Sequence, residues 1–127
     1  MDAARGGRRR QVAARSEGGM VSAELALAIP ALVIVVLALA WLVALGVSQG
    51  IVAQAAREGA RAGARGESAA TVRAAVTAVA PGAQVSIHRE VSSVTVIASL
   101  ERTPPVRFLR PLGREIRATA TGWREDQ

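Results

Sequence analysis

Few side chains in this chain of 127 residues can do chemistry, since it contains no cysteine and a single histidine, His88. Without cysteine there can be no disulfide framework, thiolate metal site or cysteine nucleophile, and one histidine cannot supply a multi-histidine metal centre. The serines Ser22, Ser68 and Ser92 belong to no histidine–carboxylate arrangement that would activate a nucleophile. The sequence therefore predicts no catalytic, cofactor or metal site and favours a protein that is not an enzyme.

The most informative segment is residues 17–24, Glu-Gly-Gly-Met-Val-Ser-Ala-Glu, directly before a long apolar stretch. The Glu24 carboxylate would cost roughly 2.5–3.5 kcal/mol at the centre of a bilayer, so it must reach the surface or find a cation. A cation supplied by a neighbouring copy would neutralise Glu24 and fix the register of packed helices. The alternative is that Glu24 lies among lipid headgroups, where its charge suits the first turn of a helix.

The element that must position these residues is an apolar helix. Residues 25–47 are uncharged, and no charged residue follows Glu24 until Arg57. At 1.5 Å per residue, 23 helical residues are about 35 Å long, slightly more than the roughly 30 Å of hydrocarbon in a bilayer. The 77 residues after Gly50 are too few to surround such a helix in a soluble domain. The sequence therefore predicts a single transmembrane helix over residues 20–50.

The arginines predict the orientation of this helix. All 16 basic residues are arginines, and residues 1–19 carry five of them against two acidic residues. Basic residues before a span favour a cytoplasmic N-terminus, so the C-terminal part is expected outside the cytoplasm, although Arg57, Arg61 and Arg65 act against this preference. A cleaved secretory signal has an apolar region of roughly 7–15 residues, so any cut is expected before this longer stretch rather than after it.

The net charge of +6 does not by itself indicate nucleic-acid binding. Arg8, Arg9 and Arg10 form a basic triplet, but no aromatic platform accompanies them in a chain with one phenylalanine and two tryptophans. Their position before the apolar stretch explains them as a cytoplasmic flank. We expect no nucleic-acid partner and no cofactor.

The start of the chain contains a basic leader, a glycine, a mostly apolar tetrapeptide, a glutamate at the fifth place after the glycine, and an apolar helix. This arrangement resembles the class III signal of type IV pilins and pseudopilins. The resemblance implies that a prepilin peptidase cuts between Gly19 and Met20 on the cytoplasmic side of the membrane. The mature chain would have 108 residues, with Glu24 as its fifth. The ammonium group that this cut creates on Met20 would pair with Glu24 of a neighbouring copy, so that the glutamate acts in subunit assembly.

The later sequence resembles the TadE-like branch of the tight-adherence pilus systems. Two segments carry this likeness, the AREGAR stretch at residues 56–61 and the alternating segment 116–125. The likeness covers most of residues 16–125. It implies a bacterial single-pass cell-membrane protein, oligomeric or associated with surface pili. The implied partners are the membrane, a prepilin peptidase, other pilin-like subunits and an assembly platform with its ATPase. Gly59 and Gly63 are spaced to let helices approach closely.

The residues after the apolar stretch predict two helices. The helical pattern continues over residues 48–65 and is expected to end at Gly66. Ser68 is expected to cap a second helix, which ends at the Pro81-Gly82 pair. The apolar face of this second helix comprises Val72, Ala75, Val76 and Val79.

Alternating apolar and polar residues predict three antiparallel strands after the second helix. The first two are expected to form a hairpin that turns at residues 90–93. Their apolar positions are Val85 and Ile87 in the first strand, and Val94, Val96, Ala98 and Leu100 in the second. Residues 115–123 are expected to form the third strand, after an irregular connector at residues 107–114. His88 falls out of phase with the apolar residues and is expected to face solvent or an edge.

These elements predict an α+β protein with a pilin-like fold. A single N-terminal transmembrane helix extends into a long amphipathic helix and is followed by a small antiparallel three-stranded sheet. The expected organisation is a basic cytoplasmic leader (1–19) that is cleaved, a transmembrane helix (20–50) and an extracytoplasmic α+β domain (51–127). A domain this small buries little core, so we expect it to gain stability from its own helix and from partners.

The expected function is that of a pilin-like minor subunit or assembly factor of a tight-adherence (Tad/Flp-type) pilus or a related secretion apparatus, processed after Gly19. The alternative is an uncleaved single-pass membrane-anchored binding or regulatory protein that holds a soluble partner through its outer domain. An extracytoplasmic enzyme is a third hypothesis, and it lacks any candidate constellation of catalytic residues. The N-terminus of the protein in its native membrane distinguishes the first two hypotheses.

Overall fold

The computed structural model describes the backbone of residues 2–124 and the side chains of residues 18–124. In chain order its elements are α1 (Asp2–Ala64), α2 (Ala69–Val79), β1 (Gln84–Arg89), β2 (Ser93–Arg102), a short 3-10 helix (Arg107–Leu112) and β3 (Arg114–Trp123). The predicted α+β fold, a long N-terminal helix followed by a small antiparallel three-stranded sheet, is confirmed. The chain divides into two compact units, residues 1–40 and residues 41–127.

The first unit consists of the N-terminal part of α1. Its side chains over residues 20–40 are almost all exposed, and they are apolar apart from Ser22 and Glu24. Within the part of the chain that the structure describes, α1 is the one helix long and apolar enough to cross a membrane, judged by length and composition. A helix that is apolar on every side must be covered by lipid or by other apolar protein.

The second unit, here called the lobe, begins at Trp41, inside the segment assigned above to the membrane helix. In the lobe α1 becomes amphipathic. Its buried face carries small side chains: Ser48, Val52, Ala55, Ala56, Gly59, Ala60, Ala62 and Gly63. Its opposite face carries exposed polar side chains: Gln49, Gln54, Arg57, Arg61 and Arg65. The predicted amphipathic extension of the long helix is therefore present.

The end of α1 depends on a glycine. Gly66 has a φ of +79°, a left-handed conformation that glycine adopts without strain. Its N–H donates to the Gly63 carbonyl at 3.0 Å, and the Glu67 N–H donates to the Ala62 carbonyl at 3.2 Å. These bonds satisfy two carbonyls that the last helical turn leaves free. The predicted helix end at Gly66 is confirmed.

The second helix also begins and ends as the sequence predicts. The Ser68 hydroxyl oxygen accepts a hydrogen bond of 3.2 Å from the Thr71 N–H, which satisfies one of the free donors of the first turn. After α2, a Pro–Gly pair occupies the centre of a tight turn, in which the Ala83 N–H donates to the Ala80 carbonyl at 3.1 Å. Gly82 takes the φ of +80° that this type II turn requires.

The sheet has the order β1-β2-β3, with both pairs antiparallel. The Glu90 N–H donates to the Ser93 carbonyl at 2.8 Å and closes the predicted hairpin. Because Val85 opposes Ala98 in the register, the apolar positions of the two strands share one face. On β3 that face continues through Ile116, Ala118, Ala120 and Gly122.

The core of the lobe lies between this face of the sheet, α2 and the amphipathic part of α1. Its largest fully buried side chains are all valines: Val52, Val72, Val76, Val94 and Val96. Most of the remaining buried apolar residues are alanines. Since valine and alanine fill little space, the backbones of α1, α2 and the sheet must approach one another closely to reach the packing density of a protein interior.

The connector before β3 differs from its prediction. Residues 107–114 were expected to be irregular, but Arg107–Leu112 form a 3-10 helix. The Leu109 side chain is buried, its N–H donates to the Val106 carbonyl at 3.0 Å, and the Gly113 N–H donates to the Arg110 carbonyl at 2.9 Å. Burial of one leucine thus fixes a turn that has no alternating or helical pattern of its own.

Candidate functional site

The three predicted site residues, Gly19, Met20 and Glu24, all lie on α1 and are exposed. A Cβ at Gly18 or Gly19 would meet none of the described atoms within 4 Å. The predicted cleavage site therefore lies on an accessible part of a helix, and a peptidase would have to unwind this turn to hold the bond extended. Two consecutive glycines favour unwinding, because each costs a helix interior roughly 1 kcal/mol relative to alanine.

The Glu24 carboxylate lies one helical turn after Met20, about 6 Å along the axis. It forms no ion pair with an arginine within residues 18–124. Its neighbours on α1, Met20, Val21, Leu25 and Leu27, are exposed apolar side chains. A carboxylate in these surroundings needs a cation or water from beyond those residues, and an ammonium group on a cleaved chain has the required charge.

The AREGAR stretch attaches α1 to the rest of the lobe. Its alanines are buried, while its arginines are exposed. A Cβ added at Gly59 would lie 2.5 Å from Val76 Cγ2 and 3.0 Å from Val96 Cγ1, so these side chains would have to shift to make room for it. The stretch therefore presents a face of small residues on which α2 and β2 lie.

Two further glycines make equally close contacts between α1 and the sheet. A Cβ at Gly63 would lie 2.6 Å from Val94 Cγ1, and a Cβ at Gly122 would lie 2.5 Å from the Ala60 carbonyl oxygen. The spacing of Gly59 and Gly63 predicts close approach by a helix. Close approach occurs at both positions, but it comes from elements of the same chain: α2 and β2 at Gly59, and β2 at Gly63.

The outward face of this part of α1 is charged and solvated. Arg61 lies 3.7 Å from Glu58, and Arg65 lies 2.7 Å from Glu67. Exposed pairs of this kind contribute about 0–1 kcal/mol because water and salt screen them. They keep the outer face soluble, whereas the buried glycines and alanines hold the lobe together.

Sequence reasoning missed one surface of the lobe, at the 3-10 helix. The Trp41 Nε1–H donates to the Leu112 carbonyl at 3.4 Å, so this helix lies beside the first turn of the lobe's part of α1. Four exposed arginines surround it: Arg102, Arg107, Arg110 and Arg114. The sequence signal for this surface is the repetition of arginines around Phe108 and Leu112, in a segment that was expected to be irregular.

His88 is exposed on β1, as its phase in the strand predicts. Within residues 18–124, no three histidine, aspartate or glutamate side chains lie close enough to hold a metal ion. The chain matches no protein-family model, no curated protein and no solved structure.

Proposed function

We propose that the chain is a pilin-like minor subunit or assembly factor of a tight-adherence pilus or a related secretion apparatus. The observation that carries this proposal is the exposed apolar surface of residues 20–40 on a helix that continues into a small α+β lobe. Such a surface must be covered by lipid or by copies of itself. A pilin-like subunit would bury this surface first in the bilayer and then against the packed helices of an assembly.

The length of the exposed apolar segment supports its insertion into a bilayer. Residues 20–40 span about 31 Å as a helix, close to the roughly 30 Å of hydrocarbon in a bilayer. The five arginines of the leader favour a cytoplasmic N-terminus, with the lobe on the other side of the membrane. The lobe's small core supports a subunit that gains stability from its partners.

Processing between Gly19 and Met20 explains the glycines and the glutamate together. The glycine pair lowers the cost of opening the helix at the cut. The cut removes the arginine leader and leaves an ammonium group on Met20, which pairs with Glu24 of a neighbouring copy. This pair neutralises a carboxylate within the apolar segment, where an isolated charge is costly, and sets the register of the packed helices. In this proposal the chain is the substrate of a peptidase and not an enzyme.

The test of processing compares Gly19→Val with Gly18→Val in the native membrane. The two changes are matched, because both glycines lie in α1 and neither would place a Cβ within 4 Å of a described atom. Amino-terminal sequencing is expected to find Met20 as the first residue of the wild-type protein and of Gly18→Val, and the intact leader in Gly19→Val. A wild-type protein that keeps its leader contradicts the proposal.

The test of Glu24 separates insertion from assembly. Glu24→Ala is expected to leave membrane insertion intact and to lower incorporation into sheared surface filaments, while the neighbouring exposed change Ser22→Ala leaves incorporation unchanged. Glu24→Gln, which keeps the shape and removes the charge, is expected to behave like Glu24→Ala. Undiminished incorporation of both Glu24 variants contradicts the proposed pairing.

One observation favours the alternative of an uncleaved membrane anchor. The backbone of α1 is helical without interruption through Gly18, Gly19 and Met20, and a helical peptide bond resists proteolysis. In that case the leader stays on the protein and the lobe holds a partner outside the cytoplasm. The same amino-terminal sequencing distinguishes the anchor from the pilin-like subunit.

A further inference from the structure

We propose that the lobe rests on phospholipid headgroups through the surface around its 3-10 helix. This basic surface comprises Arg102, Arg107, Phe108, Arg110, Leu112 and Arg114. The arginines bind lipid phosphates, and the two apolar side chains reach the boundary with the acyl chains. The inference rests on the membrane placement of α1 proposed above, and it makes the bilayer a partner of the lobe as well as of the helix.

The four arginines of the basic surface have no counter-charge within the described part of the chain. All are exposed, and none forms an ion pair with a carboxylate of residues 18–124. Of the seven other arginines of the lobe, three form ion pairs with carboxylates of residues 18–124: Arg61, Arg65 and Arg117. The basic surface is therefore a concentration of cations that an external anion would stabilise.

The fold brings these arginines together. Arg102 and Arg114 oppose each other in the β2–β3 register, so their side chains share one face of the sheet, where like charges repel. Arg107 and Arg110 are three residues apart in a 3-10 helix, a spacing that places them on one side of it. Guanidinium groups match the geometry of phosphate oxygens and bind them in a bidentate manner.

Exposed apolar side chains lie among these cations. Phe108 is 59% exposed and Leu112 is 45% exposed, whereas Leu109 between them is buried and anchors the 3-10 helix. An aromatic and an aliphatic side chain held out between arginines suit the membrane interface, where apolar groups meet the acyl boundary and cations meet phosphate.

Trp41 joins this surface to the end of the apolar stretch of α1. It lies six residues before that stretch ends at Val47, and tryptophan is enriched where membrane helices meet the interface. Its indole N–H binds the Leu112 carbonyl, and it lines a largely apolar cavity of about 280 Å³ together with Leu45, Ile51 and Arg102. The basic surface is therefore continuous with the part of α1 that leaves the bilayer.

A second copy of the chain fits this surface less well than lipid does. A symmetric contact would bring the four arginines of one copy against the same four of the other, and like charges across an interface are unfavourable. Phospholipid supplies both chemistries that the surface needs, phosphate for the arginines and acyl chain for Phe108 and Leu112.

The test uses the full-length protein in vesicles of phosphatidylcholine, with or without phosphatidylglycerol, and measures backbone amide exchange over residues 106–114. The variant combines Arg107→Gln, Arg110→Gln and Arg114→Gln. The matched control combines Arg57→Gln, Arg61→Gln and Arg65→Gln, which removes the same charge at least about 24 Å farther along α1 than Trp41. All six arginines are exposed.

In the wild-type protein and the control, exchange over residues 106–114 is expected to be at least about fivefold slower when phosphatidylglycerol is present, since one arginine near an anionic surface changes occupancy by about that factor. The variant is expected to lose this difference. If exchange is slowed equally with and without phosphatidylglycerol, and the slowing increases with the amount of protein per vesicle, the surface contacts a second copy. That result would overturn the inference. Equal loss in variant and control would also overturn it.

Alkaline carbonate extraction of the same vesicles distinguishes the two proposals. If carbonate releases the wild-type protein, the membrane placement of α1 fails, and this inference fails with it. If the protein stays with the lipid and exchange over residues 106–114 is unaffected by phosphatidylglycerol, the placement stands and the inference alone is overturned.

Discussion

The two parts of α1 differ in which side chains they hide. Over residues 20–40 the helix exposes leucine, isoleucine and valine all round, whereas over residues 41–64 it buries one face and exposes the other. Charge does not mark the boundary between them, since no charged residue occurs between Glu24 and Arg57. The distribution of side chains around the axis separates a helix suited to lipid from one suited to protein.

The two parts of α1 also differ in the size of their side chains. The exposed part carries large aliphatic residues such as Leu32, Val36 and Leu39, and the buried face of the lobe's part carries mainly alanine and glycine. Large side chains cover the backbone of a helix surrounded by lipid. Small ones let a sheet approach the helix axis, as β2 does at Gly63. One continuous helix thus has two different packing environments.

The largest predicted effects come from replacing one valine by aspartate in each of the two parts of α1. In Val52→Asp an unpaired carboxylate replaces a side chain that is 0% exposed, and we expect a loss of roughly 3–5 kcal/mol of lobe stability. In Val36→Asp the exposed position keeps the lobe intact, but insertion into a bilayer is expected to weaken by roughly 2.5–3.5 kcal/mol. Thermal unfolding in detergent measures the first effect, and alkaline carbonate extraction measures the second.

These two variants test whether the two parts of α1 are independent and whether the first is covered by lipid. If Val36→Asp lowers the unfolding temperature of the lobe as much as Val52→Asp does, residues 20–40 are not independent of the lobe. If Val36→Asp stays in carbonate-washed membranes as fully as the wild type, the exposed apolar surface is not covered by lipid.

Local signals in the sequence predict most of the elements correctly. Gly66 ends α1 and Ser68 caps α2 through hydrogen bonds to residues no more than five positions away, so neighbouring residue types decide them. The strands follow from an alternation of period two, which one buried face imposes. The exposure of Gly19, Met20 and Glu24 on an apolar helix also follows from the sequence around them.

Contacts between distant residues account for what the sequence does not predict. The start of the lobe at Trp41 involves a hydrogen bond to Leu112, 71 positions away. The 3-10 helix follows from burial of Leu109 against the fold, and the inward face of the AREGAR stretch follows from valines on α2 and β2. For Glu24, the proposed partner is an ammonium group that arises only after cleavage and belongs to another chain.

A smaller effect, confined to the lobe, is expected at Gly122. An alanine there would place its Cβ 2.5 Å from the Ala60 carbonyl oxygen and 3.1 Å from Ala64 Cβ. Because the nearest obstacle is backbone, we expect Gly122→Ala to cost about 3 kcal/mol, at the upper end for overpacking. In a lobe of this size each kcal/mol lowers the unfolding temperature by roughly 4–8 °C. The double variant Gly122→Ala/Ala64→Gly is expected to remain destabilised, because the Ala60 carbonyl still obstructs the added Cβ. If its stability returns to that of the wild type, β3 can move away from α1.

The smallest effect compares one substitution at two positions of the same helix. At Gly59 an added Cβ meets Val76 Cγ2 at 2.5 Å, a side-chain atom that can shift, while at Gly50 it meets nothing within 4 Å. Alanine favours a helix by roughly 1 kcal/mol over glycine, so Gly50→Ala is expected to be neutral or slightly stabilising. At Gly59 the overpacking cost of about 1–3 kcal/mol exceeds this gain, so we expect a net loss of about 1 kcal/mol in the free energy of unfolding. Adding Val76→Ala removes the nearer obstacle and leaves Val96 Cγ1 at 3.0 Å, and the double-mutant cycle should then give a favourable coupling between the two changes. Strict additivity in that cycle would mean that α2 does not rest on the glycine face of α1, and the contrast between the two parts of the helix would lose its structural cause.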